Sequence, residues 1–270
     1  MPELPEVESV VSSLKAASLI GKTLSSVQII CPKIPSELSQ LIEHRIEGIE
    51  RRGKYIHFRF SSGIHLIIHL RMTGQFLLKA KKASAAKHER VIFNFKEGIA
   101  LAFHDTRRFA TFDLTRDPDA IFSKLGPEPL DPAFSAEQFF SSISQKSKAI
   151  KASLLDQGII AGVGNIYADE ALWDAKIHPE RPSSDLSKKE SEQLLKSIQK
   201  VLRNGIQNGG TSLGSGSPNF HHLNGQSGNN QNTLNVYGKE GESCARCGRS
   251  IEKIAVKQRG THFCPICQKP

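Results

Sequence analysis

Two stretches of this 270-residue chain carry residue types that could do chemistry by themselves: PELPE at positions 2–6, and two CxxC pairs near the other end. An initiator Met is normally trimmed when a small residue such as Pro follows, and trimming leaves Pro2 with a free secondary amine. An α-amino group titrates near about 8, far below lysine. A prolyl amine is intrinsically more basic, but the positive end of a helix beginning near Pro5 disfavours the cation and lowers its pKa. The outcome is a nucleophile partly unprotonated at neutral pH. Glu3 and Glu6 lie close enough in sequence to serve as acid and orienting group. The same residues could do no more than start a helix, because Pro5 suits the first helical position and Glu6 and Glu8 its first turn.

The cysteines are more specific. Cys244 and Cys247 form one CxxC pair, Cys264 and Cys267 another, with a short basic segment between them. That spacing matches a four-thiolate zinc site, and four protein ligands leave no open position for water, so the metal is structural. Disulfides are the competing reading, which a reducing compartment disfavours. Cys31, the fifth, reads as a small buried apolar residue.

The elements that must position these groups are visible as changes of period. Val7, Val10, Val11 and Leu14 follow helical spacing. From Leu24 to about Phe112 the pattern turns to period two. YIHFRF (55–60) and IHLIIHL (64–70) are joined by Ser-Ser-Gly, VIFNF (91–95) and IALAF (99–103) by Lys-Glu-Gly, as in hairpins of an antiparallel structure. A basic loop, KAKKASAAKHER, separates them. LGPEPLDP (125–132) holds three prolines and a glycine and marks a domain boundary. Helical signals follow near 135–144, 148–156 and 165–175, then from Lys188 to Gln207, where Ser187 and Glu190 form a capping box and Gly209-Gly210 ends the helix. The polar stretch from Thr211, TSLGSGSPNFHHLNGQSGNNQN, is too long for an ordinary connector; it is a solvated linker or a mobile loop that orders over a ligand.

A net charge of +9 favours a polyanionic partner, nucleic acid first and an anionic membrane second. No apolar run of about 18 residues exists, which excludes a spanning helix, and the N-terminus lacks a secretory signature. The expected location is the cytosol, and a basic amphipathic helix that would bind a membrane surface is missing.

Several residues fit a duplex-binding chemistry. A secondary amine adding to a sugar C1′ gives an iminium, cationic without a proton, which acidifies the C2′ proton and favours loss of the 3′ phosphate. Met72 in HLRMTGQF and Arg107, Arg108 and Phe109 in HDTRRF follow strands. An unbranched apolar side chain, an aromatic ring and an arginine there suit insertion into a kinked duplex, filling the void of an extruded base. Alternatively Met72 and Phe109 are core and the arginines a solvated face. GIIAGVGNIYADE offers backbone amides at a helix start, either a phosphate site or a tight helix-to-helix turn. Lys146, Lys148 and Lys151 stand near it. Arg259 falls where a hairpin tip lies between the zinc cysteines.

Taken in order, PELPEVE, RRGKY (51–55), HLRMTG (69–74), DTRRF (105–109), LGPEPL, LLDQ with AGVGNIYADEAL, GGTSL, NVYGKEGE and the CxxC…QRGTHFCPxCQ ending span essentially the whole chain. Jointly they resemble bacterial formamidopyrimidine-DNA glycosylases. The resemblance implies a multidomain α+β protein: an N-terminal β-sandwich with an N-terminal helix (1–125), a linker (126–134), a helix–two-turn–helix domain (135–235) that includes a lesion-covering loop (211–233), and a four-cysteine zinc-finger β-hairpin (236–270). It implies a monomeric glycosylase and abasic-site lyase that removes oxidised purines, 8-oxoguanine and formamidopyrimidines, from duplex DNA in the bacterial cytosol, with one structural zinc ion. By motif, Pro2 is the nucleophile, Glu3 the general acid, Glu6 an orienting group, Lys54 the proton donor of β-elimination and Arg259 that of δ-elimination. Met72, Arg107 and Phe109 match the void-filling trio; His88, Arg108, Asn165, Tyr237 and Arg259 match DNA contacts, and Lys148 and Lys151 are further expected contacts, with Lys146 the alternative to Lys148 beside Ser147. Ala110 stands where the family has glycine, Ser147 where it has a lysine, and the Ser/Gly/Asn-rich 211–233 loop is unlike the usual versions. Two rivals remain: an endonuclease VIII-type enzyme for oxidised pyrimidines, disfavoured by Leu4 and the trio, and a non-catalytic damaged-DNA binder of the same fold.

Overall fold

The computed structural model describes residues 1–80, 84–214 and 220–269. They form two compact units, the first comprising 1–122 and 208–231, the second 123–207 and 232–270.

The first unit opens with α1 (Leu4–Ala16), whose Leu4, Val7, Val10, Val11 and Leu14 are buried along one face. It starts one residue before the position expected from Pro5. The cause is Glu6, whose carboxylate reaches back to the Glu3 amide at 2.8 Å and completes a capping box. Eight strands follow: β1 (Leu24–Ile29), β2 (Ile46–Arg52), β3 (Tyr55–Phe60), β4 (His65–His69), β5 (Gly74–Ala80), β6 (Glu89–Phe95), β7 (Ile99–Asp105) and β8 (Thr111–Thr115). They make two four-stranded antiparallel sheets, ordered β1-β6-β7-β5 and β2-β3-β4-β8. Both expected hairpins, β3–β4 and β6–β7, are present in register.

The sheets and α1 share one core. Phe58, Phe76, Phe103 and Phe112 run through it edge to face, at centroid distances of 6.1, 5.0 and 4.8 Å, and so tie strands of both sheets together. Each such pair contributes about 0.5–1.5 kcal/mol beyond its buried area. A short helix, α2 (Asp119–Phe122), closes the unit, with Phe122 against Tyr55 and His57.

The segment 208–231 belongs with this first unit, whereas the expected organisation placed 211–233 in the helical domain. The reason lies in long-range contacts. Phe220 and Leu223 are buried in the sandwich core, and the Thr211 amide donates to Glu6 at 2.8 Å. A plain solvated linker would make neither. Residues 215–219 of the loop, like 81–83 of the basic loop, lie outside the described residues.

The second unit holds α3 (Ala136–Ile143), α4 (Ile150–Leu154), α5 (Asn165–Ala175) and α6 (Lys188–Gln207), then the hairpin β9 (Glu252–Val256) and β10 (Arg259–Phe263). Helix α6 buries Leu194, Leu195, Ile198 and Leu202 against α3 and α5. Its expected capping box is formed: Glu190 accepts from the Ser187 amide and hydroxyl at 2.9 and 2.8 Å. The Arg181 guanidinium on that carboxylate holds Glu190 down to about 2. Among the described residues no helix is long and apolar enough to cross a membrane.

Candidate active site

The chemistry expected at the N-terminus sits in a buried setting. Pro2 is buried, and Glu3, Glu6 and Lys54 are 3%, 2% and 6% exposed. Glu6 spends one carboxylate oxygen on the Glu3 amide and the other on the Thr211 amide, each at 2.8 Å. It thus fixes Glu3 and the stem of the 208–231 segment at once. Burial lowers the pKa of the terminal amine at Met1; the charges of Glu3 and Glu6 oppose this, and those of Lys54 and Arg107 reinforce it. The same causes put these four side chains within electrostatic reach of the chain terminus.

Lys54 occupies the tip of the β2–β3 hairpin. Arg52 pairs with Tyr55, so Gly53 and Lys54 are the two turn residues. Gly53 takes φ +56°, the left-handed value that the first position of a type II′ turn requires. Arg51 braces the turn, donating to the Gly53 carbonyl at 3.3 Å and to Glu8 of α1 at 2.7 Å. Next to it, His69 accepts from the Arg71 amide at 3.0 Å and stands edge-on to Tyr55. Burial, with Arg71 and Lys54 adding to it, pushes His69 down to about 3, so the ring is neutral with its proton on Nε2. The sequence reading passed over His69; its signal was a polar residue on a strand opposite Tyr55.

Met72, Arg107 and Phe109 lie together on two neighbouring loops. Met72 and Phe109 are 40% and 49% exposed, too open to be core. Arg107 bridges them, with Nη1 3.0 Å from the Met72 sulfur and its guanidinium carbon 4.8 Å from the Phe109 ring centre. Both loops depend on Asp105, 1% exposed and unrecognised in the sequence. Its carboxylate accepts from the Thr73 hydroxyl, from the Arg107 amide at 3.2 Å and from the Ala110 amide at 3.0 Å. Gly74 is required beside them, because a Cβ there would sit 2.5 Å from the Leu70 carbonyl oxygen and 2.7 Å from Phe103. Ala110 replaces glycine without strain, since the left-handed residue of this turn is Arg108, at φ +58°. Arg108 is exposed, and His88 is half-buried.

The second unit carries the remaining expected residues. Arg259 is exposed at the start of β10, after a two-residue turn of Lys257 and Gln258, both left-handed at φ +45° and +61°. Non-glycine residues rarely adopt this conformation, which costs each about 1–2 kcal/mol, so the hairpin needs support. Lys151 supplies it. The residue was expected to contact DNA, but it has no exposed surface, and this corrects the expectation. Its ammonium bonds Asp169 at 2.6 Å, the Thr261 hydroxyl at 2.8 Å and the Gly260 carbonyl at 3.1 Å. Asp169 in turn accepts from the His262 amide at 2.9 Å. Asn165, first residue of α5, also donates to the Gly260 carbonyl, at 2.9 Å. A charge this deep is stable only when paired, so a basic residue beside a glycine loop became a strut instead of a phosphate ligand.

Lys148 is half-buried and bonds Asp156 at 2.7 Å, lowering that carboxyl below its ordinary range. Tyr237, half-buried, packs against His262 at 5.1 Å. Its amide and those of Asn235 and Val236 converge on the carboxylate of Glu170 at 2.8–3.0 Å. Glu170 and Gln157, which bonds the Gly162 amide and the Val163 carbonyl, are further organising residues missed in the sequence.

The four cysteines meet as their spacing requires. All four sulfurs lie within 4.8 Å of one another, with Cys244–Cys267 at 4.0 Å and Cys247–Cys264 at 3.4 Å. Zn–S bonds of about 2.3 Å in a tetrahedron place sulfurs about 3.8 Å apart, so the donor set fits zinc. Burial alone would raise the Cys244 thiol, but the Trp173 indole N–H, 3.4 Å from its sulfur, and the Arg246 and Cys247 amides bring it to about 6. Burial and the neighbouring thiols push Cys267 up to about 12. Trp173 is the chain's one tryptophan and also stacks under Arg246, 4.0 Å away. Chelation should therefore release one zinc per chain and shift Trp173 emission to the red, with the sandwich's far-ultraviolet dichroism unchanged. Release of less than one equivalent, or an emission spectrum that does not move, would contradict the site.

A β-sandwich with a helix-led N-terminus, a helical unit and a four-cysteine hairpin make the chain an α+β protein of the zinc-finger class, with buried Glu3, Glu6 and Lys54 near its first residue. Three family models match in chain order: the formamidopyrimidine-DNA glycosylase N-terminal domain over 1–112, the formamidopyrimidine-DNA glycosylase H2TH domain over 125–216, and the zinc finger found in FPG and IleRS over 241–270. The formamidopyrimidine-DNA glycosylase of Protochlamydia amoebophila is 46% identical over 275 residues, covering 100% of both chains. Two structures of Lactococcus lactis Fpg are similar throughout. One, in complex with DNA containing an abasic site, gives a TM-score of 0.90 at 39% identity, covering 99% of this chain and 100% of that one. The other, with DNA containing an oxidised pyrimidine, gives 0.91 at 39%, covering 100% of each. The chain belongs to the formamidopyrimidine-DNA glycosylase family. It is a DNA-repair glycosylase with abasic-site lyase activity and one structural zinc ion.

Proposed function

We propose that the enzyme, as a monomer in the bacterial cytosol, removes oxidised purines from duplex DNA through the amine of Pro2 once Met1 is gone. The observation that carries this reading is the burial of Pro2 together with Glu3, Glu6 and Lys54; at the Met1 amine next to it burial lowers the pKa, Glu3 and Glu6 oppose this, and Lys54 and Arg107 add to it. In this reading the Pro2 nitrogen attacks C1′ as the damaged base departs, Glu3 acting as acid. Opening of the C1′–O4′ bond then gives an iminium, which acidifies the C2′ proton; that proton passes to water as the 3′ phosphate leaves, and Lys54 serves this first elimination as proton donor. Arg259 serves the second, in which the 5′ phosphate leaves. Glu6 holds Glu3 in place. Met72, Arg107 and Phe109 fill the vacated space, and their exposed cluster supports that use. His88, Arg108, Lys148, Asn165 and Tyr237 contact DNA, whereas Lys151 acts only by holding the strand that bears Arg259.

Oxidised pyrimidines are the second reading, because the similar Lactococcus protein was captured on such DNA. Single-turnover excision from duplexes carrying 8-oxoguanine opposite cytosine and thymine glycol opposite adenine separates the two. Faster release of 8-oxoguanine is expected; faster release of thymine glycol would overturn the purine assignment.

A further inference from the structure

Strand β6 is irregular where it leaves the basic loop. Glu89 pairs with His104 and Val91 with Phe103, so Arg90 is an extra residue in a β-bulge. A bulge re-aims the side chain it carries. Arg90 is 8% exposed and turns its guanidinium inward. Its Nε–H donates to the Asp105 carbonyl at 2.7 Å, and its Nη2 lies 3.3 Å from Nδ1 of His88. A guanidinium has donors only and stays charged. Nδ1 of His88 is therefore the acceptor, and the ring proton sits on Nε2. The backbone reinforces the placement. The Asp105 amide donates to the His88 carbonyl at 3.0 Å, and His88 is held at φ +71°. The Arg90 carbonyl is itself pinned by the Ile30 and Cys31 amides at 2.9 and 3.1 Å.

Among the described residues, the other groups facing this ring are few. His104 on β7 stands edge-on, 5.7 Å between centroids. Lys87 and Glu89 flank His88 in sequence, and the Glu89 carboxylate is engaged by Lys79 at 2.9 Å and by the Ala86 amide at 2.8 Å. Arg90 is thus the cation that sets the ring's orientation.

We propose that Arg90 is a positioning residue. It fixes His88 in the tautomer whose Nε2–H offers a neutral donor to a DNA phosphate oxygen. Through Asp105 it ties that contact to the loop carrying Arg107 and Phe109. The inference rests on the reading of His88 as a DNA contact.

The test begins with the unaltered enzyme. Ring nitrogen spectra of His88, assigned by their loss in His88→Asn, are expected to show an unprotonated Nδ1 and a protonated Nε2. In Arg90→Met, and equally in Arg90→Lys, which cannot reach both partners, the ring should become a mixture of tautomers. A wild-type ring protonated on Nδ1, or one unchanged in both variants, overturns the proposal. Affinity for a duplex bearing an abasic-site analogue supplies the second arm. His88→Asn and Arg90→Met should each weaken binding about fivefold, and the double variant by about the same fivefold. Multiplied losses in the double variant would make Arg90 an independent contact and overturn its positioning role. Wild-type affinity in His88→Asn, whatever the ring spectrum, would instead sink the DNA-contact reading of His88.

Discussion

Borohydride added to the Met1-free enzyme on a duplex containing 8-oxoguanine should trap a covalent adduct that maps to Pro2. A chain extended by one uncleavable residue ahead of Pro2 should form none, because the nitrogen is then an amide without a nucleophilic lone pair. Excision should fall by about 10³-fold or more, which corresponds to about 4 kcal/mol of lost transition-state stabilisation. The environment at the terminus explains why so large an effect resides in one atom. Pro2 is buried next to Glu3 and Glu6, which are buried with it, and Lys54 is held at a hairpin tip. Peptide mapping of the reduced adduct decides the matter. An adduct on a lysine, or undiminished excision by the extended chain, would remove Pro2 from the chemistry.

The second large effect is expected far from any reacting atom. Lys151→Met leaves Asp169 buried without its cation and the Thr261 and Gly260 oxygens without a shared donor. Breaking a buried pair from one side costs about 3–5 kcal/mol, enough to lower the thermal transition by about 10 °C. Cleavage should also stall after the first elimination, because β10 loses the strut that holds Arg259. In Lys151→Met/Asp169→Leu no charge remains buried, so part of the stability should return. The second elimination should not return, since the His262 amide and Gly260 carbonyl still lack these partners. Calorimetry and the ratio of the two cleavage products report the two consequences separately. A Lys151→Met enzyme that melts and cuts like the wild type would show that the pair holds nothing.

These residues also show where sequence ends and folding takes over. The β3–β4 and β6–β7 hairpins, the long helix α6 with its Ser187–Glu190 box and the four-sulfur cluster were legible, because each is written in local periodicity or spacing. Met72, Arg107 and Phe109 were legible only as a pair of alternatives, a duplex wedge or core beside a solvated face; it is the exposure of Met72 and Phe109 that removes the core reading. Lys151 was misjudged because its partner, Asp169, is eighteen positions away and nothing local distinguishes a strut from a phosphate ligand. Asp105, Glu170 and Arg90 were invisible for the same reason: each is a buried charge whose meaning comes from backbone groups gathered around it by tertiary structure. The placement of 208–231 with the sandwich followed from Phe220 and Leu223, two apolar residues in a polar stretch, whose destination no pattern of period two or 3.6 can reveal.

The stem of that excursion is stitched to itself. Asn229 and Asn230 donate backbone hydrogen bonds to Asn208 and Gly210 at 2.9 and 3.1 Å, and the Ser212 amide and hydroxyl bond Gln231 and Phe220 at 3.0 and 2.7 Å. Between such fastened ends, lengthening a chain changes closure entropy only slowly. The ends at Thr211 and Ser212 are thus held by Glu6 and Gln231, and the anchors Phe220 and Leu223 by the sandwich core, so polar chain added between these points is cheap in closure while a change at any of them is not.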